Sequence, residues 1–174
     1  LRYCQGWDRV TSDFPYGADA AIIVDTAAET LIEKALQVPG VRHFLESHPT
    51  VVLDHHGEQD EEEPQNDLSF PHEFVLSASA AATGELIYEL AKSAGWTVPA
   101  VAAENIYIAI AADTLGMTTQ GATEATFQVV ADIVKLGAKP YEIETRRREF
   151  MKKPADILTY KARLIERIEY HLDG

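Results

Sequence analysis

A short β-branched run, Thr50-Val51-Val52-Leu53, ends directly in Asp54-His55-His56. Apolar runs of this kind, bounded by polar residues, suit strands buried on both faces, and that setting is a parallel sheet covered by helices. Open α/β sheets bind their ligands beyond the carboxyl ends of the strands. One acid and two imidazoles are therefore expected at a ligand-binding edge. A carboxylate can orient an imidazole, and a neutral imidazole can hold a divalent metal or meet a phosphate. Taken alone, the same triplet also reads as a polar turn after a strand.

Two further apolar segments end in the same way. Ala20-Ala21-Ile22-Ile23-Val24 runs into Asp25-Thr26, and Ile106-Tyr107-Ile108-Ala109-Ile110-Ala111-Ala112 runs into Asp113-Thr114-Leu115-Gly116-Met117. Asp25 could cap a helix, and Asp113 could sit in an ordinary turn before Gly116. Three carboxyl-terminal acids in succession, one beside two histidines, point instead to a shared site. Hard oxygen ligands with a histidine suit a manganese- or magnesium-type divalent centre.

With these residues in this order the chain resembles the DHH phosphoesterase superfamily. Asp25-Thr26 is similar to the second motif of that family, Asp54-His55-His56 to the third, and Asp113 through Met117 to the fourth. The segment from Ser77 to Leu90, with Thr83-Gly84-Glu85 in it, is similar to the helix after the DHH motif in the oligoribonuclease/pAp-phosphatase (nano-RNase) branch. The resemblance spans roughly residues 18 to 140. It implies that Asp25 bridges two metal ions, that His55 and Asp113 complete one coordination sphere, that Asp54 sits behind the histidines, and that His56 faces the phosphate. The implied ions are Mn²⁺ or Mg²⁺, two in the intact site, about 3.5–4 Å apart.

The implied reaction is hydrolysis of phosphate esters in short oligoribonucleotides, in 3′-phosphoadenosine 5′-phosphate (pAp), or in both. The alternatives are a cyclic dinucleotide phosphodiesterase, which shares these motifs, and a non-catalytic DHH-derived binding module. RecJ-type exonuclease and inorganic pyrophosphatase activities are less favoured, the first by the short acidic chain and the second by the alanine-rich segment ending in Thr83-Gly84-Glu85.

The departures from the pattern matter equally. The family's first motif, a histidine with paired aspartates after the first strand, has no match before Asp25. Asp8, Asp13 and Asp19 stand in a polar stretch with no apolar strand ahead of them. The chain begins at Leu1 rather than Met, and nothing in it matches the family's glycine-rich second domain. The expected protein is therefore α/β, a parallel sheet flanked by helices. Residues 1–153 form a DHH-type catalytic domain, incomplete at its N-terminus, and residues 154–174 a linker helix toward an absent second domain. Such a chain alone is expected to be inactive or weak.

Composition sets outer limits. A chain of 174 residues, 46% hydrophobic, normally builds one domain with a sizeable core. Its single cysteine, Cys4, rules out an internal disulfide and suits a cytoplasmic location. No apolar run approaches the ~18 residues of a membrane span. A net charge of −13 argues against capture of long nucleic acid by bulk charge. Short nucleotides or small phosphate esters are the expected partners, because metal ions reverse the local sign; a homodimer is left open. Arg146-Arg147-Arg148 with Lys152-Lys153 reads as a solvated helix face and linker, or as a phosphate-attracting rim. The acidic run Asp60-Glu61-Glu62-Glu63 is expected to be a solvated loop.

The pattern predicts strand, helix, strand, loop and then mostly helix. A helix from Thr26 or Thr30 runs to about Gln37, with a break at Pro39-Gly40 before Val41 to Ser47. Phe74-Val75-Leu76 is a short third strand. A helix from about Ala80 to Ala94 stops at Gly95, and Pro99 enters the first turn of an almost all-round apolar helix. Thr123 caps a helix through Leu136, and Pro154 opens a last helix with an apolar stripe that includes Ile157, Leu158, Leu164, Ile165 and Ile168.

Overall fold

The computed structural model describes residues 2–56 and 66–169. The acidic run from Asp60 to Glu63 lies outside the described residues, as does the tail beyond Glu169. Three strands, β1 (Ala21–Val24), β2 (Thr50–Asp54) and β3 (Glu73–Leu76), form one parallel sheet in the order β1-β2-β3. The α/β expectation holds. Among the described residues seven α-helices accompany the sheet: α1 (Glu29–Leu36), α2 (Val41–Ser47), α3 (Thr83–Ser93), α4 (Ala100–Asp113), α5 (Glu124–Lys135), α6 (Pro140–Phe150) and α7 (Ala155–Ile165).

Because the strands are parallel and in register, their carboxyl ends lie together. Val24 is opposite Leu53, and Asp54 is opposite Leu76. Asp25 continues the ladder by one bond, its N–H donating to the Leu53 carbonyl at 2.9 Å. The central strand β2 buries Thr50, Val52 and Asp54, so the alternation of a pleated strand sends Asp54 inward with the core residues. Val52 packs with Val41, Phe44, Leu45, Leu68 and Phe70 in one apolar cluster. A second cluster is helical: Tyr88 of α3, Ala103, Ile106 and Ile110 of α4, and Val129 and Ile133 of α5. The apolar middle of α4 is thereby buried, as its composition predicts.

Several boundaries depart from expectation, each for a physical reason. Helix α1 begins at Glu29 and not at Thr26 or Thr30; its first backbone N–H is met by the Asp67 carboxylate, 38 residues onward. Asp25 is thus no cap. Helix α3 begins at Thr83 rather than Ala80, because Ala82 is extended (φ −161°) and residues 77–82 turn across the strand ends. Pro99 is the N-cap of α4, one position before its first turn. Thr123 caps α5 as predicted, in a capping box with Thr126. Helix α7 has no buried residue, and Ile157, Leu158, Leu164 and Ile165 face outward.

The arginines of α6 are engaged within the protein. Arg146 reaches Glu104 of α4 at 2.6 Å, and Arg147 and Arg148 both hold Glu144. Two such partners keep the Glu144 carboxyl down at about 2. This favours the helix-face reading of the basic cluster over the phosphate rim.

Candidate metal centre

Asp54, His55 and His56 form the turn that leaves β2. The Asp54 carboxylate is almost wholly buried and folds back over that turn. Its Oδ1 accepts from the backbone N–H of His55 at 2.8 Å, the backbone N–H of His56 at 3.2 Å and His56 Nδ1 at 2.7 Å. A short acidic side chain capping two successive amides is an Asx-type turn. This one aims both imidazole rings to the same side, their centroids 4.3 Å apart.

His55 is the inner ring, its side chain 15% exposed against 64% for His56. Its Nδ1 lies 3.3 Å from the Ala80 carbonyl. An N–H at Nδ1 satisfies that carbonyl, and in the neutral ring this leaves the lone pair on Nε2. That nitrogen faces Asp25 Oδ1 at 3.5 Å and Asp113 Oδ2 at 3.8 Å. The two acids arrive from different elements. Asp25 is in the left-handed region, φ 66°, which a short polar side chain tolerates where a branched one would not. Asp113 is the last residue of α4, which ends because Thr114 Oγ1 bonds back to the Ile110 carbonyl and receives the Met117 N–H.

Two carboxylates from different elements thus lie within 3.8 Å of one imidazole nitrogen. Burial, and next the charge of Asp25, push the Asp113 carboxyl above its usual range, with His55 and His56 pulling the other way. Two carboxylates and an imidazole with its outer nitrogen tied to a carbonyl are the donor set of a hard-to-borderline divalent ion. The residues fit a metal.

Asp25, His55 and His56 also form a candidate cation cluster, with one donor atom from each lying within 4.8 Å of the others. Asp25, Asp54, His55 and His56 lie at the strand ends and Asp113 at the end of α4; Asp25 and Asp113 both approach His55, Asp54 sits behind the histidines, His56 lies within ligating reach of Asp25 and His55, and Asp113 is outside that three-residue cluster. Among the described residues, no acid from the polar stretch before Asp25 joins this cluster.

Sequence reasoning missed the support provided by the turn before α3. Thr83 Oγ1 donates to Asp25 Oδ1 at 2.8 Å, and the buried Glu85 carboxylate accepts the Ala81 N–H at 2.9 Å. Thr-Gly-Glu at the opening of a helix was the available signal; its partners are 58 and 4 residues away, and only the shorter span is legible in sequence.

No family model matches the chain. The chain is 28% identical over 138 residues to the bifunctional oligoribonuclease and PAP phosphatase NrnA of Bacillus subtilis (strain 168), covering 78% of this chain and 39% of that protein. The fold is shared with an exopolyphosphatase-related protein from Bacteroides fragilis, at TM-score 0.69 and 16% identity, over 88% of this chain and 42% of that one. The chain thus spans about two fifths of the length of the relatives it matches. With its motifs in that order and a parallel sheet, the chain is similar in sequence to this oligoribonuclease and PAP phosphatase and in fold to the exopolyphosphatase-related protein, and so resembles the DHH phosphoesterases.

Proposed function

We propose that this chain carries the chemistry of a metal-dependent phosphoesterase acting on short oligoribonucleotides, on pAp, or on both. The observation that supports the reading is the approach of two carboxylates, Asp25 at 3.5 Å and Asp113 at 3.8 Å, to His55 Nε2. The named activities of the Bacillus subtilis relative support the substrate class. Asp25, His55 and Asp113 would hold Mn²⁺ or Mg²⁺. When bound, divalent ions supply Lewis acidity toward phosphoryl oxygens and toward an attacking water.

The chain's own residues supply the rest. Asp54 holds His56 through Nδ1, which leaves His56 Nε2 at an exposed position to donate to a phosphate oxygen. His55, tied at Nδ1, serves as ligand and not as proton donor. The like charges of Asp25 and Asp113 keep an anionic substrate away until a cation neutralises them.

In this reading residues 1–153 form the catalytic-type domain and 154–174 a linker helix, supported by α7 having no buried side chain. A cytoplasmic setting belongs to the same proposal. Among the described residues no helix is long and apolar enough to cross a membrane. A second reading, a non-catalytic binding module, draws on the small size of the acid-and-histidine cluster among the described residues.

The test offers the full-length protein, in place of the 174-residue chain, pAp, a short oligoribonucleotide, a cyclic dinucleotide and pyrophosphate, each with Mn²⁺ and with Mg²⁺. Turnover of the first two is expected. Preference for the cyclic dinucleotide replaces the substrate assignment, and no turnover of any of the four sinks the enzyme reading in favour of the binding module.

A further inference from the structure

The two residues that face each other across the candidate metal centre, Asp25 and His55, are both held from the same short turn. Ala80 gives its carbonyl to His55 Nδ1, and Thr83 gives its hydroxyl to Asp25 Oδ1. That turn is in turn clamped. Glu85, 4% exposed, accepts the Ala81 N–H at 2.9 Å and the Thr126 hydroxyl at 3.1 Å through the same oxygen, Oε2. Thr126 is fully buried and closes the capping box that starts α5. Hydrogen bonds thus lead from the N-terminus of α5 through Glu85 and the Ala80–Ala81 peptide to His55, while Thr83, the first residue of α3, holds Asp25.

We infer that Thr83 is a positioning residue for the metal centre, its hydroxyl fixing which Asp25 lone pair faces the ion. This rests on the metal reading proposed above. Asp25 needs such help. Its backbone is in the left-handed region and its side chain is 55% exposed, so the carboxylate has little packing to hold its rotamer. Thr83 is the opposite, 4% exposed at the first position of α3, with its χ1 stiffened by branching. A rigid donor occupying one lone pair of Oδ1 leaves the other to face the His55 side. A ligand held in one orientation loses less freedom when a cation arrives, which is why partners behind metal ligands typically account for about 10–100-fold in affinity.

The measurement is Mn²⁺ affinity of the 174-residue chain, read from paramagnetic broadening of the His55 imidazole signals so that weak binding is still quantified. Wild type, Thr83→Val and Thr83→Ser are compared, each with its metal-free thermal midpoint. Thr83→Val keeps the shape and removes the hydroxyl; its affinity should fall by about 10–100-fold at an unchanged midpoint. Thr83→Ser keeps the hydroxyl and should bind close to wild type. If Thr83→Val melts early, Thr83→Ala makes the same comparison without placing a methyl group against the carboxylate.

Wild-type affinity in Thr83→Val overturns the proposal, and so does Thr83→Ser binding as weakly as Thr83→Val. Failure of wild type itself to bind Mn²⁺ overturns the metal reading and this inference with it, which separates the two.

Discussion

The Asp54 carboxylate, 3% exposed, meets His56 Nδ1 at 2.7 Å while the His56 side chain is 64% exposed. A buried acid thus holds an outward-facing imidazole, so His56 is fixed at its root and free at its tip. His56→Ala should cut phosphoester turnover about 10²–10³-fold, the usual loss for a donor to developing charge, while metal content stays near wild type. Mn²⁺ stoichiometry measured beside kcat checks this. Loss of metal in that variant would move His56 from the substrate to the ligand set, where its proximity to Asp25 and His55 allows it.

His55 is expected to behave differently from its neighbour. Its Nε2 faces two carboxylates and its Nδ1 is committed to the Ala80 carbonyl, so the ring has no spare nitrogen for substrate. His55→Ala should weaken Mn²⁺ binding substantially, by well over the tenfold that calorimetry resolves at about 1.4 kcal/mol. Unchanged affinity would remove the centre as drawn.

Gly84 marks a close helix crossing just behind the site. A Cβ there would lie 2.7 Å from the Ala109 Cβ and 3.4 Å from the Ile106 carbonyl oxygen, so α3 and α4 would have to separate. Gly84→Ala should cost about 1–3 kcal/mol, as overpacking of a close-packed interior does. Because Thr83 and Glu85 flank it, Mn²⁺ affinity should fall as well. Urea unfolding beside a metal titration reads both effects.

Acid should loosen the sheet's outer helices through Glu29. Hydrogen bonds from Ser69 and Arg42 hold the Glu29 carboxyl down at about 2 from an ordinary value of 4.5. A depressed carboxyl adds stability above its unfolded value, and that stability is lost as pH falls through the folded one. Glu29→Gln should therefore unfold more easily than wild type at pH 6, and the gap should close between pH 4.5 and about 2. Paired denaturant titrations across that range test the sign. A gap that widens on acidification would contradict it.

The strands, most helices and the approach of Asp25 and the DHH turn at the sheet edge were legible because their signals are local. Val51-Val52-Leu53 before Asp54 carries both the strand and its ligand-bearing end, and Thr123 announces α5 by its own hydroxyl. Where reasoning went astray, the deciding partner was distant in sequence. The start of α1 depends on Asp67, and the start of α3 on the turn that holds His55. No periodicity records either.

By itself, the sequence determined that acids and histidines would sit at the carboxyl ends of buried apolar segments, because β-branched runs choose a parallel sheet and a parallel sheet aligns its ends. Only the tertiary structure decided which atoms face one another. It put His55 Nε2 between Asp25 and Asp113, drew His56 within ligating reach, and hung Asp25 on Thr83. Those outcomes depend on hydrogen bonds spanning 25 and 58 residues. A chain closes such bonds only once the helices α3, α4 and α5 have packed, because until then ordering the turn costs conformational entropy with nothing to offset it.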